Sequence, residues 1–224
     1  KMKIITIPVT PLQQNCSILI CEKTGKGAVV DPGGDSHLIL EKIKELNVEI
    51  DSKKNILACL GYKQNEANPW TADSIKKIFD NNIEMNFTKE ENFPLYVDKK
   101  NGIVQGYAIP ISGKGLWSTL YGYFAVEPDG KTAKGITFYA HKETPGLGGE
   151  VDKAWFKDNF IGKRFVNDDG ELVGIKVVKG KADPNSEYEV DGISGATITS
   201  KGVETFLASD LKKYETFFKN IRNG

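Results

Sequence analysis

Short apolar runs alternate with turn residues between positions 96 and 190, a pattern typical of an antiparallel β-sheet. Asp129-Gly130 and Asp169-Gly170 indicate turns between strands. Four strands are predicted: Ile103–Ile109, Leu116–Val126, Gly135–Tyr139 and Leu172–Val178. Apolar residues on one side of Val151–Phe160 predict a helix between strands, and residues 200–221 have the spacing of a long C-terminal helix. The expected fold is therefore α+β, a twisted antiparallel sheet with flanking helices.

The first 95 residues have a different pattern of apolar and polar residues from this sheet region. Residues 3–46 predict two strands, a further short strand and a helix, whereas residues 47–95 are polar and mostly helical. Thr71 or Asp73 could cap a helix there, and the Asn- and Glu-rich residues that follow suggest irregular structure. We therefore divide the chain into an appendage (1–46), a helical lead-in (47–95) and a main domain (96–224).

Charge and composition exclude several classes of function. Lys plus Arg and Asp plus Glu both number 30, so the chain has no basic excess for a nucleic-acid partner. No apolar run approaches the roughly 18 residues of a membrane helix, which predicts that the chain as given is soluble. Only His37 and His141 are available as imidazole ligands, so no metal site is predicted.

The stretch from Asp191 to Ser200 combines small residues with hydroxyls just before the predicted C-terminal helix. Free backbone N–H groups and the dipole at a helix N-terminus favour an anion such as phosphate. Gly195 and Ala196 would let another molecule approach the backbone. The alternative is an ordinary turn followed by a helix cap, with Thr199 or Ser200 as the capping residue.

The run Asp191-Gly192-Ile193-Ser194-Gly195-Ala196-Thr197 resembles the flavinylation motif of covalent FMN-binding domains. In that family the last threonine carries FMN as a phosphoester, and the matching residue is Thr197. The resemblance also implies a flavin transferase that uses FAD as donor together with a metal ion. An unactivated threonine hydroxyl is a weak nucleophile, which is consistent with a need for such an enzyme.

Two further stretches resemble the same family in the expected order: Gly115–Tyr123 and Glu143–Glu150. Over residues 47–221 the resemblance is strongest to the C-subunits of sodium-translocating NADH:quinone reductases, which are related to the G-subunit of the Rnf complex. It implies an electron-relay subunit with covalent FMN, without catalytic acids or bases. An Rnf-type subunit and a module that binds flavin without a covalent bond are the alternatives.

The resemblance also implies a set of residues around the cofactor. Leu147 could pack on the flavin ring, while Glu143 and Thr144 could hydrogen-bond its polar edge. The Pro-Gly loop could equally be only a tight turn, and Trp117 could be a core residue instead of a flavin contact. The predicted cofactor-binding set is Thr197, Trp117, Glu143, Thr144, Gly146, Leu147, Gly148, Asp191, Ser194, Gly195, Ala196 and Thr199.

Partners and location follow from the resemblance alone. It implies the other subunits of the reductase complex and association with the inner membrane on its periplasmic side. Residues 1–46 stand where the family has a membrane helix, and they resemble the opening strands of glyoxalase II-like hydrolases. The His-x-His-x-Asp-His run of those enzymes is absent from the sequence, so a metal-dependent thioester hydrolase is a minor alternative. Cys16, Asp31 and Asp35 are expected to be structural.

Overall fold

A computed structural model describes residues 2–21, 27–65, 69–89 and 91–224. The chain divides into two compact units, one of residues 1–54 and 63–81 and the other of residues 55–62 and 82–224. Helix α1 (Ser36–Cys59) contributes to both units and continues past residue 46, where the sequence suggested a division.

The first unit contains a three-stranded antiparallel sheet in the order β1 (Met2–Val9), β2 (Gln14–Cys21) and β3 (Gly27–Val30). Its small core buries Val9, Cys16, Ile18 and Ile39. The Asp35 carboxylate accepts a hydrogen bond from the Thr10 backbone N–H over 2.6 Å. Cys16 and Asp35 therefore have the structural roles that were predicted for them.

Helix α2 (Ala72–Asn82) begins at a reciprocal cap. The Ser74 N–H donates to Thr71 Oγ1 over 3.2 Å, and the Thr71 N–H donates to Ser74 Oγ over 2.9 Å. This exchange satisfies donors that a helix start leaves unpaired. Of the two predicted caps, the structure selects Thr71.

The second unit contains a five-stranded antiparallel sheet whose strands follow one another in chain order. Its strands are β4 (Ile83–Phe87), β5 (Pro94–Lys100), β6 (Ile103–Lys114), β7 (Thr119–Val126) and β8 (Ala133–Ala140). The prediction of irregular structure after α2 was wrong, because β4 and β5 occupy it. β4 is an edge strand of alternating apolar and polar residues, of which only Ile83 is buried, and it pairs antiparallel with β5.

Three predicted elements are shorter than expected. The predicted strand Leu116–Val126 begins at Thr119, as β7. Only Lys176–Val178 of the predicted Leu172–Val178 strand forms a strand, β9, and it pairs in parallel with β10 (Glu189–Asp191). The predicted helix Val151–Phe160 is split into a 3₁₀ helix (Gly148–Asp152) and α3 (Ala154–Asp158), because Lys153 between them has an extended backbone.

The predicted C-terminal helix is also two helices, α4 (Thr197–Lys213) and α5 (Glu215–Asn223). Tyr214 separates them, and its hydroxyl donates to the Pro94 carbonyl over 2.8 Å. α4 packs directly on β6: a Cβ at Gly202 would lie 2.3 Å from the Lys114 carbonyl oxygen. This close packing places the first half of α4 beside the C-terminal end of β6.

Candidate functional site

Three loops of the second unit converge at the N-terminus of α4. They are the β6–β7 loop with Gly115–Ser118, the loop after β8 with Glu143–Gly149, and Ser194–Ala196 before α4. Each loop contains one of the three family-like sequence motifs. Motifs up to about eighty residues apart in the chain therefore form one site.

The Glu143 side chain connects these loops. Its Oε1 accepts hydrogen bonds from the backbone N–H groups of Trp117 (2.9 Å) and Ser118 (3.0 Å) and from the Ser118 hydroxyl (3.2 Å). Its Oε2 accepts from the Leu116 N–H (3.2 Å) and from the Thr199 hydroxyl (2.8 Å). A carboxylate that accepts several charge-assisted hydrogen bonds is a strong tie between chain segments.

These contacts also determine the ionisation of Glu143. Burial raises the pKa of the carboxyl, but the hydrogen bonds from Thr199 and from the backbone of Trp117, Ser118 and Leu116 lower it, and the net pKa lies below the ordinary value of 4.5. The side chain is 6% exposed. Glu143 is thus a buried carboxylate at neutral pH.

Two glycines give the carboxylate its space. A Cβ at Gly148 would lie 2.6 Å from Glu143 Oε2 and 2.7 Å from Thr199 Oγ1. A Cβ at Gly115 would lie 2.8 Å from Glu143 Oε1. Atoms do not approach so closely without displacement, so glycine is required at both positions for the Glu143 contacts to form.

The start of α4 separates its hydroxyls into two groups. Thr199 and Ser200 are buried, and Ser200 Oγ accepts the Ile193 N–H over 3.0 Å. Ser194 and Thr197 are exposed. Ala196 occupies the N-cap position and its methyl group cannot accept a hydrogen bond, so the predicted caps Thr199 and Ser200 were wrong. Their hydroxyls instead hold the first turn against neighbouring loops.

Exposed apolar side chains lie in the loops and first turn that form this site. Leu116, Trp117, Leu147 and Ile198 are 42%, 71%, 43% and 60% exposed. Leu147 Cδ2 lies 3.0 Å from where a Cβ at Gly195 would stand, and Gly195 has a φ of +73°. The alternative that Trp117 is a core residue was wrong. These side chains leave apolar surface available to a flat ring.

A cleft of about 460 Å³ adjoins Thr197 on one side. Its walls include Lys176, Lys179, Lys201 and Glu204. Lys201 is paired with Glu204, so Lys176 and Lys179 leave a net positive potential. Such a potential favours an anionic group near Thr197.

A second cleft, of about 370 Å³, is lined by Gly146, Trp155, Asp191 and Ser194 among others. The Asp191 carboxylate accepts hydrogen bonds from Lys181 Nζ and from the Ala182 N–H (2.9 Å), which lower its pKa. Asp191 thereby fixes the start of its motif.

The structure brings together the loops that contain the predicted cofactor residues. The proposed contact of Glu143 with a flavin edge is unsupported, since both of its oxygens already accept hydrogen bonds from protein groups. Exposed Thr144 remains a predicted contact. Sequence reasoning assigned no role to Ser118, whose hydroxyl donates to Glu143 and accepts the Lys142 N–H over 2.8 Å. Its position inside the Gly115–Tyr123 motif was the available signal.

Comparison with known proteins shows what this chain is similar to. A family model described as an FMN-binding domain matches residues 115–212. The Na(+)-translocating NADH-quinone reductase C-subunit of Vibrio alginolyticus is 42% identical over 166 residues, which cover 73% of this chain and 64% of that protein. The Pseudomonas aeruginosa C-subunit is 41% identical over 141 residues, 61% of this chain and 54% of that protein. The chain thus spans less than two thirds of these relatives.

Solved structures agree with the fold. The crystal structure of the Na(+)-translocating NADH-quinone reductase C-subunit from Parabacteroides distasonis has a TM-score of 0.69 and 28% identity, and the match covers 80% of this chain and 96% of that one. The crystal structure of Shewanella oneidensis NqrC has a TM-score of 0.66 at 22% identity, with 79% of this chain and 100% of that one covered. Residues 115–212 therefore match the FMN-binding-domain model, and the chain is similar in sequence and fold to Na(+)-translocating NADH-quinone reductase C-subunits.

Proposed function

We propose that this chain carries FMN as a phosphoester on Thr197 and relays electrons as a subunit of a sodium-translocating NADH:quinone reductase. One observation carries the proposal: Thr197 is the exposed first residue of α4, at the point where the three family motifs meet. Neighbouring Thr199 is buried and already donates to Glu143. Thr197 is therefore the threonine of this motif that another molecule can reach.

The attachment is a phosphoryl transfer from FAD, catalysed by a separate flavin transferase. The bond between Thr197 Oγ1 and the FMN phosphorus forms as the pyrophosphate bond of FAD breaks. AMP leaves, and the threonine hydroxyl proton is released to the transferase or to water. No electron changes hands in this step. Thr197 supplies only the accepting oxygen, and activation of its hydroxyl is the task of the transferase.

The residues around Thr197 fit a phosphorylated, flat cofactor. The first-turn N–H groups of α4 point toward the helix start, where the helix dipole favours a phosphate. Lys176 and Lys179 line the adjoining cleft and add positive charge, whereas Lys201 there is paired with Glu204. Leu147, beside Gly195, and exposed Trp117 offer apolar surface for the ring. FMN would supply the electron transfer, and these side chains would hold it and exclude water from it.

The activity of the whole complex is a further part of the proposal, because the relatives are longer than this chain. The partners would be the other reductase subunits, and the location the periplasmic side of the inner membrane. Among the helices that the structure describes, none is long and apolar enough to cross a membrane. Membrane association is therefore inferred from the relatives alone.

Co-expression with a flavin transferase tests the covalent bond. The wild-type chain should show a fluorescent band after denaturing electrophoresis, and Thr197→Ala should show none. A flavin that leaves the wild-type chain on denaturation would favour the non-covalent module instead. Thr199→Ala is not a suitable control, because Thr199 contacts Glu143. Thr205→Ala is suitable, since Thr205 is another exposed threonine of α4 that lies outside the three loops, and it should retain the fluorescent band.

A further inference from the structure

We propose that Glu143 is the positioning residue that selects Thr197, and not Thr199, as the flavin acceptor. This inference rests on the proposed attachment of FMN to Thr197. In this proposal Glu143 neither contacts the flavin nor takes part in bond formation. It acts through its hydrogen bond with Thr199 and through the backbone of the Gly115–Ser118 loop.

Helix geometry links the two threonines. Successive residues of an α-helix turn by about 100°, so side chains two positions apart point in nearly opposite directions. Thr199 is 0% exposed and faces Glu143 Oε2 at 2.8 Å. Fixing Thr199 on the inner side of the first turn therefore directs Thr197 to the outer side, where it is exposed.

The Glu143 contact also makes Thr199 a poor acceptor. Its hydroxyl proton is donated to a buried carboxylate, and the space beside it is closed by Gly148, where even a Cβ would lie 2.7 Å from Thr199 Oγ1. A transferase holding FAD cannot approach an oxygen in such a position. The same contact thus protects one threonine and presents the other.

The backbone contacts of Glu143 position the opposite wall of the site. Its Oε1 accepts from the N–H groups of Trp117 and Ser118, so the loop that carries the exposed Trp117 is held relative to α4. His141 helps to fix the Glu143 backbone. Its Nδ1 accepts the Glu143 N–H over 3.2 Å, and its Nε2 is 2.8 Å from Asp152 Oδ2. Loss of the carboxylate should therefore release both walls together.

The test measures the initial rate of flavin incorporation into purified chains mixed with flavin transferase, FAD and Mg²⁺. Glu143→Gln keeps the size of the side chain but removes its charge and turns one acceptor into a donor. We expect its rate to fall about tenfold or more, as small misplacements of a reacting group commonly cost that much. Thr199→Val should lose a similar factor, whereas Thr199→Ser, which keeps the hydroxyl, should restore the wild-type rate.

Asp210→Asn is the matched control. Asp210 is also buried, and its Oδ2 accepts the Ser112 N–H over 2.8 Å, so its loss destabilises the same helix away from the three loops. It should lower the melting temperature and leave the incorporation rate unchanged. A purely structural role for Glu143 would instead make the rate follow the melting temperature in all variants.

Three results would overturn the inference. Glu143→Gln with the wild-type incorporation rate would do so directly. If Glu143→Gln fails to fold, a wild-type rate in Thr199→Val would do so. If Asp210→Asn slowed flavin incorporation as much as Glu143→Gln, the slower incorporation in Glu143→Gln would be explained by lost stability alone. A wild-type chain that takes up no flavin would refute the proposed attachment itself, and the two failures are therefore distinguishable.

Discussion

The Thr199 hydroxyl donates to the Glu143 carboxylate over 2.8 Å and joins helix α4 to the loop after β8. The two residues are 56 positions apart in the chain. Because Glu143 also accepts three hydrogen bonds from the Gly115–Ser118 loop backbone, this one contact brings three segments into register. Its loss should therefore affect both the stability of the second unit and the uptake of flavin.

Glu143 should make the stability of the second unit depend on pH. Its pKa in the folded chain lies below the ordinary 4.5, so its stabilising effect is complete above that pH and is lost as the pH falls through the lowered value. At neutral pH, Glu143→Gln should lower the free energy of unfolding by about 2 kcal/mol, since charged hydrogen bonds are lost.

Urea denaturation over a pH series measures this difference. The gap between wild type and Glu143→Gln should narrow steadily under acidic conditions, as the wild-type carboxyl becomes protonated. A gap that is constant with pH would show that the charge of Glu143 does not contribute.

Gly148→Ala should separate Glu143 from Thr199. The added Cβ would meet Glu143 Oε2 at 2.6 Å and Thr199 Oγ1 at 2.7 Å, so the hydrogen bond must open or the loop must move. We expect a loss of about 2 kcal/mol in unfolding free energy, as for other overpacked sites, together with slower flavin incorporation.

Gly162→Ala provides the comparison for Gly148→Ala. Gly162 has a φ of +79°, and among the residues described no atom lies within 4 Å of where its Cβ would stand. The substitution should therefore lower the unfolding free energy by about 1 kcal/mol through backbone strain alone. Its flavin incorporation should match wild type. Equal incorporation in both variants would argue against the crowding at Gly148.

Trp117 should contribute little to folding and much to the cofactor environment. Its side chain is 71% exposed, so Trp117→Ala should change the unfolding free energy by less than about 0.5 kcal/mol. In flavin-loaded protein the same substitution should shift the visible absorption of the flavin. Chemical denaturation and absorption spectra measure the two effects. If Trp117→Ala lost several kcal/mol of unfolding free energy and left the flavin spectrum unchanged, Trp117 would be a core residue and not a cofactor contact.

The sequence was informative for features formed by residues that lie close together in the chain. The run from Asp191 to Thr197 and the Pro-Gly loop could be identified because glycines and hydroxyls at fixed positions mark backbone that approaches another group. The α+β class also followed from the pattern, because the central strands β6, β7 and β8 are apolar and long.

The contacts between distant segments could not be predicted in the same way. Nothing near Glu143 in the chain indicates that its carboxylate faces Thr199 or the Trp117 backbone, so it was assigned to the flavin instead. β4 was missed because its short alternation of apolar and polar residues lies among Asn and Glu residues, which favour irregular structure. The break at Tyr214 was missed because apolar spacing continues across it from α4 to α5.

The most direct test of the account is the mass of one tryptic peptide. Cleavage after Lys181 and Lys201 releases residues 182–201, which contain Ser194, Thr197 and Thr199. After reaction with flavin transferase and FAD, this peptide should gain about 440 Da, the mass of FMN less one water, and fragmentation should place the gain on Thr197. An unmodified peptide, or a gain located on Thr199, would contradict the account.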